Sequence, residues 1–220
     1  MTGVPPGSDR PAHIARGDFA ALLQRADALA SGGERRILGI TGAPGAGKST
    51  LAERVVGALH PRAVLVPMDG FHLADSELMQ LGIHERKGAI DTFDHGGFVT
   101  MLRRLHEPVE GVVYAPTFRR DLEDAIAGAI RVESTVPLVV TEGNYLLADQ
   151  GEWAQVRELL DEVWYLDPDE DTRLERLVMR HMGFGRDRVA AEARALGTDQ
   201  RNADLIISTK MRADVIVTGS

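Results

Sequence analysis

The chain contains no cysteine, only three lysines, no excess of positive charge and no apolar run of the roughly 18 residues that a membrane-spanning helix needs. The missing cysteine excludes disulfide frameworks, thiolate metal sites and cysteine nucleophiles, and fits a reducing compartment. The missing apolar run leaves no membrane helix to expect. Residues 1–11 are rich in Gly and Pro with no apolar stretch, so no secretory signal is expected and the reading is a cytoplasmic protein. Asp and Glu number 33 against 25 Lys and Arg, giving a formal net charge of −8. A protein that grips a nucleic-acid backbone needs a basic face, so nucleic acid is not an expected partner. With 220 residues there is enough chain for one well-cored domain and too little for two plus a linker.

Residues 1–13 are expected to form a disordered tail, followed by a single domain over 14–220. Phe19, Leu22, Leu23, Ala26, Leu29 and Ala30 recur at helical spacing until Gly32-Gly33 ends the helix. Residues 35–41 form a short apolar run bounded by glycine, the pattern of a buried strand, and lead through a glycine-rich turn into a helix with Leu51, Val55 and Leu59 on one face. Further strands are expected at 63–68, 138–141, 163–166, 205–208 and 215–217, with 112–114 a weaker candidate; helices are expected at 96–106, 152–160, 169–182 and 186–196. Short β-branched runs alternating with helical stretches predict an α/β fold, a P-loop core with a parallel sheet of about five strands covered by helices on both faces.

Strand, glycine turn and helix in that order make a nucleotide site. Gly42-Ala43-Pro44-Gly45-Ala46-Gly47-Lys48-Ser49 fits G-x-x-x-x-G-K-[ST], in which backbone N–H groups wrap the phosphates, Lys48 reaches the β and γ oxygens and Ser49 ligates Mg²⁺. One of only three lysines falls inside this motif, which composition alone explains badly. Glu142 follows the 138–141 run, at the sheet edge where ligands of open α/β folds gather, and would hold Mg²⁺. Asp69 ends the 63–68 run in the same way and suits a general base for an acceptor hydroxyl; the competing reading is a plain Asp-Gly turn. Arg173, Arg176 and Arg180 share a helix face, with His181, Arg186 and Arg188 beyond, a segment near 173–188 suited to a lid over a triphosphate. The competing reading pairs these arginines with Glu170 and Glu175 on a solvated face. Arg86-Lys87-Gly88 and Thr92-Phe93-Asp94 lie in a polar loop of the kind that carries substrate. A regulatory GTPase-like switch is the rival class; it would want [NT]-K-x-D, and Thr209-Lys210-Met211-Arg212 has arginine where the aspartate belongs.

The phosphate loop, Met68-Asp69-Gly70-Phe71-His72, Arg86 to Asp94, Glu142-Gly143-Asn144-Tyr145, Arg176 with Arg180-His181, and Asn202-Ala203 together resemble, in order and spacing, the phosphoribulokinase/uridine kinase superfamily. Within it the chain is similar to bacterial nucleoside/nucleotide kinase-like proteins, fructose-transport-system kinase-like ones among them, and to type I pantothenate kinase. The resemblance implies an ATP-dependent kinase of a small-molecule hydroxyl, with ATP phosphates at Gly42, Ala43, Pro44, Gly45, Ala46, Gly47, Lys48, Ser49 and Thr50, and Mg²⁺ near Ser49 and Glu142. It implies a catalytic Asp69 aided by Lys48 and the lid arginines Arg176 and Arg180, and acceptor contacts from His72, Arg86, Lys87, Asn144 and Tyr145. A homodimer is a further expectation from the resemblance. Uridine kinases follow the aspartate with Ser-Phe-Tyr where this chain has Gly70-Phe71-His72, and pantothenate kinases are much longer. The acceptor class therefore stays open among pantothenate, nucleosides, sugars and sugar phosphates.

Overall fold

Strand β2 (Arg36–Thr41) is buried on both sides, and its side chains divide the interior in two: Ile37 joins one apolar cluster, Leu38 and Ile40 the other. In the computed structural model, which describes residues 10–107 and 111–219, β2 lies at the centre of a six-stranded parallel sheet. Its companions are β1 (Ala12–Ala15), β3 (Ala63–Leu65), β6 (Leu138–Glu142), β7 (Glu162–Asp167) and β8 (Val215–Thr218), in the order β1-β8-β7-β2-β6-β3. Helices α1 (Phe19–Ala30) and α2 (Lys48–Leu59) cover one face through Leu22, Ala26, Leu51, Val55 and Leu59. Helices α3 (Asp75–Gln80), α5 (Glu170–Gly183) and α6 (Arg188–Arg194) belong to the connections that follow β3 and β7. The other face carries α4 (His95–His106), the turns around Tyr145 to Trp153, and Ile206 of α7 (Gln200–Ser208). A separate antiparallel hairpin of β4 (Val112–Arg119) and β5 (Asp124–Glu133) packs Val113, Ala115 and Val132 against that same cluster.

The α/β core with helices on both faces matches expectation, but the sheet has six strands, not five. The sixth comes from the expected tail: Ala12 to Ala15 pair in register with Val215 to Thr218. Residues 1–9 of that expected tail lie outside the described residues. Residues 205–208, expected as a strand, belong to α7, where Ala203 and Ile206 are buried at a spacing of three. A four-residue apolar run carries no period of its own, so only its packing partner decides between strand and helix. The expected strand at 63–68 stops at Leu65 and gives way to a 3₁₀ turn, Met68–Phe71. The expected helix over 152–160 is a pair of 3₁₀ turns, Gly151–Gln155 and Arg157–Leu159. Residues 112–114 begin a hairpin that composition conceals, since much of β5 faces solvent and carries no apolar alternation.

Candidate active site

The phosphate loop leaves the carboxyl end of β2 and turns into α2, so its backbone N–H groups meet the helix N-terminus above the sheet. Glycine is required at two of its positions for different neighbours. At Gly45 (φ +86°) a Cβ would stand 2.6 Å from the Arg173 carbonyl oxygen, and at Gly47 (φ +85°) 2.5 Å from a guanidinium nitrogen of Arg16. The Lys48 ammonium is buried and donates to the carbonyls of Gly42 (2.9 Å) and Ala43 (3.2 Å) rather than to a carboxylate. Burial pulls its pKa below the usual lysine value, against the opposing charges of Glu142 and Asp69.

Glu142 emerges from β6 beside the loop, and the Ser49 hydroxyl donates to its Oε1 at 3.2 Å. Burial first, and the Asp69 charge second, push the Glu142 carboxyl well above the ordinary carboxylate range; Lys48 and the Ser49 hydrogen bond oppose the shift. Burial penalises the charged form of both groups, and keeping the Glu142 carboxylate charged there is costly unless a cation shares the site. Among the described residues no cluster of three or more His, Cys, Asp or Glu is gathered that could cage a metal. A hydroxyl and one buried carboxylate that, among the described residues, forms no ion pair with a lysine or arginine suit Mg²⁺, which takes oxygen ligands and draws the remainder from phosphates and water. The residues present therefore fit that ion.

A cavity of about 440 Å³ opens beside the phosphate loop. Lys48, Ser49, Glu142 and Asp69 all line it, so the three turns that follow β2, β3 and β6 meet around one space. Of the expected acceptor contacts, His72, Lys87 and Asn144 line it too. The His72 ring lies between Phe93 and Phe118, with centroid distances of 4.1 and 4.7 Å, and Lys87 is held by Asp75. Arg86 and Tyr145 are not brought to the cavity wall. Arg86 pairs with Asp91 at 2.9 Å, and the buried Tyr145 donates to the Gly88 carbonyl at 2.7 Å, anchoring the loop around Gly88. Sequence reading missed the residues that the hairpin supplies, Phe118 and Arg120, the latter 3.4 Å from the Asp69 carboxylate. It also missed Asp199, whose carboxylate meets His181 Nε2 at 2.6 Å in the cavity wall. No local signal marked these residues, because their shared position depends on contacts far apart in sequence.

The arginine row divides along α5. Arg176, Arg180 and Arg186 are all exposed; Arg180 and Arg186 line the cavity and Arg176 lies outside it. Arg173 is 2% exposed and donates to both Glu170 oxygens, to Gln200 Oε1 and to the Pro44 carbonyl of the phosphate loop. For this residue the Glu170 pairing weighed against a lid role is the one observed, and it makes the first turn of α5 a fixed wall. Arg173→Ala should lower stability by about 2–4 kcal/mol, since it leaves a buried carbonyl and Gln200 without their donor. Urea unfolding checks this; a midpoint equal to that of the parent protein would remove the strut role.

Comparisons with known proteins bear on the fold and the family. A 1.95 Å crystal structure of a candidate fructose transport system kinase from Silicibacter sp. TM1040 superposes with a TM-score of 0.82 at 36% identity, covering 90% of this chain and 98% of that one. An ATP-dependent kinase-like protein of Aspergillus versicolor is 32% identical over 163 residues, 70% of this chain and 94% of the relative. A pantothenate kinase of Mycolicibacterium vanbaalenii is 31% identical over 137 residues, 60% of this chain and 43% of that enzyme. The family model that matches residues 37–219 takes in the phosphate loop, the Asp69 turn, Glu142 and the arginine helix together, and the chain belongs to the Phosphoribulokinase / Uridine kinase family of P-loop kinases.

Proposed function

We propose that this kinase transfers the γ-phosphoryl group of ATP to a hydroxyl of a small metabolite, with Asp69 as the general base. The observation that supports this most is that Asp69 lines the same cavity as Lys48, Ser49 and Glu142, a carboxylate beside the phosphate cradle yet on its acceptor side. In this reading the loop from Gly42 to Thr50 cradles the phosphates, and Lys48 neutralises charge at the β and γ oxygens. Ser49 and Glu142 hold Mg²⁺, which supplies charge stabilisation on the transferring phosphoryl group. Asp69 accepts the hydroxyl proton as the acceptor oxygen attacks, His72, Lys87 and Asn144 orient the acceptor, and Arg180 with Arg186 spreads the charge of the loose transition state. The phosphoryl group passes from ATP to the acceptor oxygen, leaving ADP.

The test is an ADP-production screen across pantothenate, nucleosides, sugars and sugar phosphates, read against the acceptor-free rate. One acceptor should raise ADP release far above background; a flat panel with normal ATP binding would sink the transfer reading. Arg180→Ala should lower kcat for that acceptor about 10- to 100-fold with little change in melting temperature, because a charged contact made only in the closed complex acts on the transition state. Loss of melting temperature without a rate defect would make Arg180 a structural residue.

A further inference from the structure

We infer that Arg16 is a positioning residue of the phosphate site, a guanidinium that holds the outer rim of the loop so that its N–H groups face the nucleotide. The inference rests on the kinase reading above and adds a residue outside the segment that matches the family, 37–219. Arg16 directly follows β1, whose backbone it continues by donating its own N–H to the Thr218 carbonyl at 2.8 Å. Its side chain turns to the loop instead of to solvent: Nη1 donates to the Ala46 carbonyl at 2.7 Å and Nη2 to the Gly47 carbonyl at 3.2 Å.

The carbonyls of the loop are captured one by one. Gly42 and Ala43 accept from Lys48, Pro44 accepts from Arg173, and Ala46 and Gly47 accept from Arg16. A carbonyl and the N–H of the following residue lie in one peptide plane and point in opposite directions. Holding the Pro44, Ala46 and Gly47 carbonyls toward Arg173 and Arg16 therefore turns the N–H groups of Gly45, Gly47 and Lys48 the other way, before any phosphate arrives. That is preorganisation, and it lowers the ordering cost of binding an anion. Arg16 does this for the two peptides nearest the start of α2, where the helix dipole also favours negative charge.

Charge supports the same reading. Among the described residues no carboxylate is paired with Arg16, and the charges acting on it are those of Arg176 and Arg54, both of its own sign. Arg54 is in turn held against the Phe19 ring, 4.1 Å from guanidinium carbon to centroid. Positive charge beside the loop favours an anion there, and in the kinase reading that anion is the polyphosphate of ATP. Only arginine serves at position 16, since its planar fork reaches two successive carbonyls where a lysine ammonium makes a single compact contact.

The experiment is calorimetric titration of the full chain with Mg·ATP and with Mg·tripolyphosphate, a probe that has the phosphates and no nucleoside. Arg16→Ala should bind both about 10- to 100-fold more weakly, and Arg16→Lys should fall between. Arg25→Ala is the matched control, because Arg25 also ties the N-terminal segment to the sheet, through a two-pronged contact with Glu162 at 2.8 and 2.9 Å, but touches no loop carbonyl. It should bind both probes as the parent does. Should Arg16→Ala fail to fold, Arg16→Lys carries the comparison. Unchanged binding in the Arg16 variants overturns the inference, as does an equal loss in Arg25→Ala, which would reduce Arg16 to a strut. A loss for ATP alone, with tripolyphosphate unaffected, overturns it too by moving Arg16 to the nucleoside end. If the parent protein itself binds neither probe, it is the kinase reading that fails.

Discussion

Lys48→Ala is expected to abolish useful turnover, with kcat falling about 10³-fold or more for any acceptor the panel identifies. The ammonium is buried at the head of α2 and, among the described residues, donates to the Gly42 and Ala43 carbonyls and is ion-paired with no carboxylate, so it is a desolvated positive charge. Charge held in that state interacts with an arriving phosphate far more strongly than an exposed lysine could. The variant should fold, because deleting a buried ammonium relieves a desolvation cost that offsets the two carbonyl contacts it gave up. Turnover by a coupled ADP assay, read beside the melting temperature, checks the result. Parental turnover in a folded Lys48→Ala protein would end the phosphate-loop argument.

Asp69→Asn is the second large effect and separates a kinase from a protein that only holds nucleotide. Asparagine is nearly isosteric but cannot take the hydroxyl proton, so transfer to the true acceptor should drop about 10²- to 10⁴-fold. ATP affinity should stay close to normal, and so should the slow acceptor-free hydrolysis, in which water attacks. Calorimetric ATP titration and the ADP assay on one preparation distinguish the outcomes. Weakened binding would put Asp69 in the magnesium shell beside Ser49. Unchanged transfer would return it to a turn role. Asp94 would not replace it as the base, since its carboxylate caps α4, accepting from the Gly97 N–H at 2.8 Å, and does not line the cavity.

The parts of the site that could be read in advance are those that lie next to each other in sequence. The phosphate loop is one continuous motif whose glycines, lysine and serine each answer to a phosphate or a metal, and the two carboxylates announce themselves by ending apolar runs. Periodicity likewise revealed α1 and α2, because each buries a stripe of its own. Residues 205–208 misled because an apolar run that short fits a strand or a helix, and local sequence gives no sign of which of the expected contacts, such as Arg86 and Tyr145, face away from the cavity.

What the sequence determined alone is the class of the protein: a nucleotide-binding α/β chain with Lys48 and Ser49 at the head of a helix and Asp69 and Glu142 after apolar runs, since local order of residues is enough to set strand, turn and helix in succession. Tertiary structure alone decided which residues complete the site. Phe118 and Arg120 reach the cavity because a hairpin folds over it, Arg173 becomes a wall because α5 docks on Gly45, and Arg16 meets the phosphate loop because β1 adds to the sheet edge beside β8. Each of these meetings joins segments far apart in the chain, and the burial and hydrogen bonding that fix them exist only after the sheet has formed.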